Sequence, residues 1–561
     1  MRSKPLLCIV VLSIIVTLSS ALAPPHLRAR ASKPKVRRAS PDSSPRDNVK
    51  RGIHLNEKTE PFRVDGSAFP DVKVGFPESY AGLIPIDKGP EELFFWYVPS
   101  ENPAAKDEIT IWLSGGPGCS SLAGFFRENG PVTWMPGTFA PVKNSWSWTN
   151  LTNMVWIDQP LGTGFSVGKP TAKDEIELAK QFAGFWKNFI DTFSLHGRRV
   201  YVTGESYAGY YVSYISDYFI EQNNTEYFNV SGIALYDPSI GYRTIDENVA
   251  TIPFIEYNKA SIPLNESFTQ RIREKSAKCG FDEYINYALQ FPPLGPLKPP
   301  KGMFDNGTVD PDCDIQNEAI NATALLHPCF DAYIVGQPCP LLWDVLGFPY
   351  TDFYFPEGYE NPYFNDSRVK KLLHVPETTS WSICAEDPVF ATDSGDDLSP
   401  PPALPGGPLA RVAEHTKNVV VAHGALDMVI MLNGTLMTLN QLEWAGGRGF
   451  SHPPDRPFYV PYHVDADKAS WAGAGVFGSW TADRGITYVG VALSGHMVPE
   501  YTPSAAFRTL ELLLGRVANL SDTQPFTTPY QRGIVQPDVP LGRGTIVAQA
   551  QKVVAGLGYA V

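Results

Sequence analysis

Cysteine is scarce in this chain of 561 residues: there are seven, and no two are spaced C-x-x-C. H-E-x-x-H is also missing, so the spacings of common zinc sites are not there and no metal or cofactor is implied. Positive charge is not in excess; the formal net charge is −13. Residues 1–51 hold eleven Lys/Arg against two Asp/Glu, so without them the charge falls to −22. Such an acidic body is a poor partner for nucleic acid. A long apolar run is lacking too. The stretch from Leu6 to Leu18 is too short for a comfortable membrane span, so no stable membrane insertion is expected. No internal repeat is present.

What stands at the N-terminus reads as a targeting segment. Arg2 and Lys4 precede the apolar run, and the small residues Ser19, Ala21 and Ala23 follow it. Residues 1–23 are expected to be a secretory signal peptide. Residues 24–51 are basic and rich in Pro and Ser, end in Lys50-Arg51, and read as a propeptide. The destination is export or an acidic, vacuole-like compartment. Cys8 leaves with the signal. The remaining six, Cys119, Cys279, Cys313, Cys329, Cys339 and Cys384, suggest three disulfides in an oxidising compartment. Nine N-x-S/T triplets, at Asn150, Asn223, Asn229, Asn265, Asn306, Asn321, Asn365, Asn433 and Asn519, suit a glycoprotein.

Apolar, strand-like runs recur at 109–113, 154–158, 199–204, 231–236, 418–423 and 486–493, with helical stretches such as Glu175 to Phe193 between them. That alternation predicts an α/β fold with a doubly wound, mostly parallel sheet. The pattern breaks between about 240 and 375, a stretch rich in Pro, Gly, Asn and aromatics that carries four of the six cysteines. The expected layout is a core in two parts, 52–239 and 376–521. A disulfide-stapled cap is inserted at 240–375, and a loosely packed tail follows at 522–561.

The chemistry is written at the ends of those strands. Gly204-Glu205-Ser206-Tyr207-Ala208 lies between the run ending at Thr203 and a helical stretch from Gly209. This is the pattern of a nucleophile elbow, a sharp turn that exposes a serine hydroxyl above the sheet. A serine nucleophile needs a base, and the base needs an orienter. Asp427 follows the run at 418–423, and His496 follows the run at 486–493. The chain order Ser, Asp, His is that of α/β-hydrolases. His423 is a rival base but precedes the aspartate. The Gly-rich loop Ser114–Ser121 follows another strand-like run and suits an oxyanion site. It has neither G-x-x-x-x-G-K-[ST] nor G-x-G-x-x-G, which a phosphate loop requires.

Four strings together resemble the serine carboxypeptidase family. They are Trp112-Leu113-Ser114-Gly115-Gly116-Pro117-Gly118-Cys119-Ser120-Ser121, Asp158-Gln159-Pro160-Leu161-Gly162-Thr163-Gly164-Phe165-Ser166, Gly204-Glu205-Ser206-Tyr207-Ala208-Gly209 and Gly495-His496-Met497-Val498-Pro499. The likeness runs from about Phe69 to Leu514 and implies an α/β-hydrolase fold. Carried over, Ser206 is the nucleophile, His496 the general acid/base and Asp427 its orienter. The Gly116 and Tyr207 N–H groups form the oxyanion hole. Ser114, Gly115, Glu128 and Glu205 bind the substrate's terminal carboxylate, and Met497 lines the leaving-residue pocket. The resemblance also pairs Cys119 with Cys384; the other four cysteines allow three connectivities. Where the family usually has Asn, this chain has Ser114, a shorter donor. The implied activity is removal of C-terminal residues from peptides or proteins, with an acidic optimum because the two glutamates must carry protons. An acyltransferase or esterase on the same scaffold is the alternative.

Overall fold

Short runs of β-branched and aromatic residues supply the frame, because such side chains fill a pleated, half-buried surface. The computed structural model describes residues 54–337, 339–347, 362–464 and 473–528, so the expected signal and propeptide lie outside the described residues. Ten runs pair into one sheet: β1 (Tyr80–Pro85), β2 (Glu92–Val98), β3 (Glu108–Leu113), β4 (Met154–Asp158), β5 (Arg199–Glu205), β6 (Val230–Tyr236), β7 (Val419–Gly424), β8 (Arg456–Val460), β9 (Gly475–Asp483) and β10 (Ile486–Val491). Their order across the sheet is β1-β2-β4-β3-β5-β6-β7-β10-β9-β8. The six from β4 to β10 in the middle are parallel neighbours. Antiparallel pairs close both edges. The six strand-like runs of the sequence are these six parallel strands. The four edge strands escaped notice because no helix separates them, so they break the alternation that marked the others.

Alternation within each strand feeds two apolar layers. Ile109, Ile111 and Leu113 of β3 join one core, and Trp112 joins the other. The first layer is covered by α2 (Glu175–Phe193) and α3 (Ala208–Glu221), the second by the short α1 (Leu122–Arg127). Helix α2 starts where the Asp174 side chain accepts the Glu177 N–H at 2.8 Å, and it stops at Ser194, in the left-handed conformation. Leu178, Phe182, Phe185, Trp186, Phe189, Ile190 and Phe193 recur every three or four residues and bury its inner face.

The stretch after residue 240 carries the helices α4 (Thr251–Tyr257), α5 (Glu266–Lys278), α6 (Phe281–Ala288) and α7 (Ile315–Leu326). Ile272, Phe281 and Ile315 enter the same core as α2 and α3, so this layer is continuous with the sheet's packing. Three disulfides form: Cys119–Cys384, Cys279–Cys313 and Cys329–Cys339. The last two decide a connectivity that the sequence left open.

Of the expected tail at 522–561, residues 522–528 lie among the described residues. After α8 (Val498–Tyr501) and α9 (Pro503–Leu513), the chain packs at least to Thr528. Phe526 is 2% exposed, with its ring 5.0 Å from Trp146 and 5.6 Å from Phe507. The buried Arg508 donates to Asp522 O (2.9 Å) and Gln524 O (3.1 Å). Residues 529–561 lie outside the described residues. Phe526→Ala is expected to cost about 3–5 kcal/mol of stability, read as a lower denaturant midpoint. An unchanged midpoint would mean the tail packs without stabilising the core.

Candidate active site

Strands β3, β5, β6, β7 and β10 all deliver polar residues at their C-terminal ends, where an open parallel sheet gathers its chemistry. At the end of β5, Ser206 has φ 63°, unusual for a residue with a side chain. Its backbone is overdetermined: the N–H donates to Tyr236 O (2.9 Å), and its carbonyl accepts from Gly209 N (2.9 Å) and Ser239 N (3.0 Å). Gly209 is obligatory here, since a Cβ would lie 2.2 Å from Ser239 O. The Tyr207 hydroxyl donates to Asp397 (2.7 Å), and its ring stacks on Tyr210 with centroids 5.0 Å apart.

The loop after β3 presses on this turn. A Cβ on Gly115 would meet Tyr207 N at 2.5 Å and Glu205 O at 2.7 Å. Gly116 has φ 110°, and a Cβ there would lie 2.8 Å from the Gly118 and Cys119 nitrogens. The loop is pinned from two sides. Buried Asp158, ending β4, accepts from Ser120 Oγ (2.7 Å), Ser121 N (2.8 Å) and Phe165 N (3.0 Å). Burial raises its carboxyl to about 6 in spite of those donors. Beside the Cys119–Cys384 bridge, Ser120 N donates to Ile383 O and Ala385 N to Gly118 O, both at 2.8 Å.

Asp427 and His496 meet: His496 Nδ1 and Asp427 Oδ2 are 2.7 Å apart, both residues almost fully buried. Asp427 Oδ1 accepts from Val429 N (2.8 Å) and Ile430 N (3.3 Å). His496 Nε2 is buried and, among the described residues, has no hydrogen-bond partner; no bond to Ser206 is closed. Such bonds are often long in a free enzyme and tighten when substrate binds. The Tyr333 carbonyl accepts the His496 N–H (2.7 Å), and its ring stands edge-on to the imidazole at 5.1 Å. Met497 is buried in a small apolar cluster with Ile334 and Tyr501. His423, the rival base, is buried on β7 with Nε2 donating to Ile430 O (2.7 Å).

Glu128, capping α1, and Glu205, ending β5, are buried side by side; Ser114, also buried, directly follows the neighbouring β3. Each glutamate has an Oε2 that no N–H or O–H donor reaches. Burial raises both carboxyls, and the charge of Glu128 raises Glu205 further. Arg127 is bound to Asp344 (2.8 Å) and Glu500 (2.5 Å), which holds the end of α1 against α8. Sequence reasoning quoted Asp158 at the head of a family string but gave it no role, and it gave none to Tyr333, Arg127 and Asp397. An acidic residue closing an apolar strand was a readable signal for Asp158; nothing local marks the others. Of the nine triplets, Asn223, Asn265, Asn306 and Asn321 are exposed and Asn433 is buried. Asn150, Asn229 and Asn519 are partly buried. The Asn365 amide is spent on Trp381 O (2.8 Å).

The serine carboxypeptidase family model matches residues 70–516. A probable serine carboxypeptidase of Arthroderma benhamiae is 47% identical over 481 residues, which span 83% of this chain and 88% of that protein. Serine-type carboxypeptidase F of Aspergillus niger is 42% identical over 82% of this chain and 88% of its own length. The crystal structure of the prohormone-processing carboxypeptidase Kex1 of Saccharomyces cerevisiae superposes with a TM-score of 0.60 at 20% identity, covering 82% of this chain and 98% of that one. The fold is therefore that of the α/β-hydrolases, and the chain belongs to the serine carboxypeptidase family. It is a serine-type carboxypeptidase, a hydrolase, and the acyltransferase and esterase alternatives are not favoured.

Several buried acids ionise above the ordinary carboxylate range: Glu128, Glu205, Glu175, Asp158 (about 6) and Asp246 (about 7), each chiefly through burial. Unfolded, they lose their protons near about pH 4. Between that value and the raised ones the unfolded chain holds fewer protons, so rising pH favours unfolding. Asp427, which His496 lowers against the effect of burial, acts oppositely, as do the lowered Asp65, Glu318 and Asp366, but these act below about pH 4. His54, lowered by burial, opposes the trend within the range but is outnumbered by the raised acids. The thermal midpoint is expected to fall between about pH 5 and 8. A midpoint that rises over that range would contradict the protonated burial of these groups.

Proposed function

We propose that the protein releases amino acids one at a time from peptide C-termini through an acyl-enzyme on Ser206. The observation that carries this is the buried Glu128–Glu205 pair directly beside the elbow serine. A carboxyl pair that holds a proton donates hydrogen bonds to a substrate carboxylate, where an ionised pair repels it. Ser114 and Gly115 complete that recognition. Ser206 Oγ attacks the last peptide carbonyl while His496 Nε2 takes its proton, and Asp427 steadies the imidazolium through Nδ1. The Gly116 and Tyr207 N–H groups hold the oxyanion; one such donor contributes about 3–4 kcal/mol in comparable sites. Tyr207 opens α3, where backbone N–H groups lack intrahelical acceptors. His496 then protonates the leaving amino acid, whose side chain lies against Met497, and water releases the acyl group.

The same reading includes passage through the secretory route, with glycans on the exposed Asn223, Asn265, Asn306 and Asn321 and none on the buried Asn433. Among the described residues no helix is long and apolar enough to cross a membrane.

The test follows free amino acids released from an N-blocked peptide. Ser206→Ala should lower the rate by at least about 10⁴-fold. Because the glutamate carboxyls are raised, they hold protons at acid pH and lose them on the way up, so KM for a free-acid peptide should rise from pH 5 to 8. At pH 5 the amidated peptide should be cleaved at least about tenfold less well. Equal cleavage of both peptides would remove the carboxylate-recognition role of the pair.

A further inference from the structure

Two buried ionisable groups behind the proposed triad have no part in the mechanism above. Asp237 follows β6, one residue after the carbonyl that accepts the Ser206 N–H. Its own N–H donates to Ala422 O (2.9 Å), and its Oδ1 accepts the Gly424 N–H (2.7 Å), so the backbone of β7 fixes it. Its φ is 44°, and it has no exposed surface. One carboxylate oxygen each from Asp237 and Asp427 and a ring nitrogen of His496 lie within 4.8 Å of one another. Asp237 Oδ2 receives no N–H or O–H donor.

His423, the second group, does not supply the missing donor. Its Nε2 donates to Ile430 O at 2.7 Å, while Asp427 Oδ2 is 3.6 Å away, too far for a hydrogen bond. Asp237 Oδ1 lies at 3.4 Å from the same nitrogen. Facing carboxylates this close and this dry cannot both stay ionised cheaply. Asp427 is the member that keeps the charge, since His496 and two backbone N–H groups donate to it. Asp237 is left with the proton; burial raises its carboxyl, and the Asp427 charge adds to that.

We propose that Asp237 is a positioning residue that donates its carboxyl proton to Asp427 and so fixes the carboxylate that orients His496. The inference rests on the triad reading above and adds a fourth group to it. The charged or titratable groups facing Asp237 are Asp427, His423 and His496, with Glu128 and Glu205 bearing on it from the neighbouring pair. While Asp237 holds its proton, Asp427 has a further side-chain donor besides the imidazole. When Asp237 ionises, a second negative charge stands beside Asp427, the donated bond is lost and the orienter is repelled.

The test measures the second-order rate of labelling by diisopropyl fluorophosphate from pH 4 to 9. This probe reads serine reactivity without the carboxylate pocket. Asp237→Ala is expected to slow labelling by about tenfold or more. Asp237→Asn, whose amide still donates and cannot ionise, should recover most of that loss and lack the wild type's alkaline decline. Its near-identical shape keeps the test decisive if Asp237→Ala does not fold. A pH profile for Asp237→Asn that matches the wild type, or Asp237→Ala labelled at the wild-type rate, overturns the proposal. Labelling that persists in Ser206→Ala overturns the triad reading itself. Labelling lost in Ser206→Ala yet indifferent to both Asp237 variants overturns only the role of Asp237.

Discussion

Gly115 packs its backbone against the turn from Glu205 to Tyr207 so closely that a single methyl would collide with backbone atoms at 2.5–2.7 Å. That contact joins two loops that leave adjacent parallel strands, and much of the surrounding structure keeps it in place. Asp158 gathers three donors from the β3 loop and from the segment after β4. The Cys119–Cys384 bridge ties the same loop to a partner 265 residues away. On the other side, Tyr236 and Ser239 hold the elbow by its backbone groups. A turn with φ 63° at serine stores strain, and it persists because so many bonds fix it from outside.

A second constraint runs through the molecule: carboxyl groups are buried without cations. Glu128 and Glu205, Asp237 beside Asp427, and Glu175 near the partly buried Asp397 set buried acids against other acids. Arg127, by contrast, is matched by Asp344 and Glu500. Burial of an ionised carboxylate is far more costly than burial of the acid, so these groups hold protons that solvent-exposed acids lose. Fold and proposed chemistry share this preference for acid. The pair that would grip a substrate carboxylate and the partner that would steady Asp427 are both useful in the protonated form.

The parallel centre of the sheet was readable because its strands are near-continuous apolar runs separated by helices, as at 154–158 and 199–204. The edges β1, β2, β8 and β9 were not, since antiparallel neighbours need no helix between them and their pairing is a long-range choice. Gly204–Ala208, the Gly-rich loop and Gly495–Val498 stood out because each puts unusual residues at the end of a strand. Asp237 had the same signal, an acid closing the run at Leu235-Tyr236, yet its weight depends on Asp427 lying close by, 190 positions later in the chain. Tyr333 had no signal; it reaches His496 because the chain between Cys329 and Cys339 folds back over the site.

Local patterning by itself determined the parallel sheet, the elbow and the chain order of serine, aspartate and histidine, because periodicity and turn chemistry act between near neighbours. Tertiary structure alone decided which acids face one another, which cysteines beyond Cys119 and Cys384 pair, which asparagines stay exposed and how far the C-terminal segment packs. Those outcomes depend on burial and on distances between residues far apart in the chain. No window of sequence contains the desolvation that sets the charge of Asp237 or the contact that makes Gly115 obligatory.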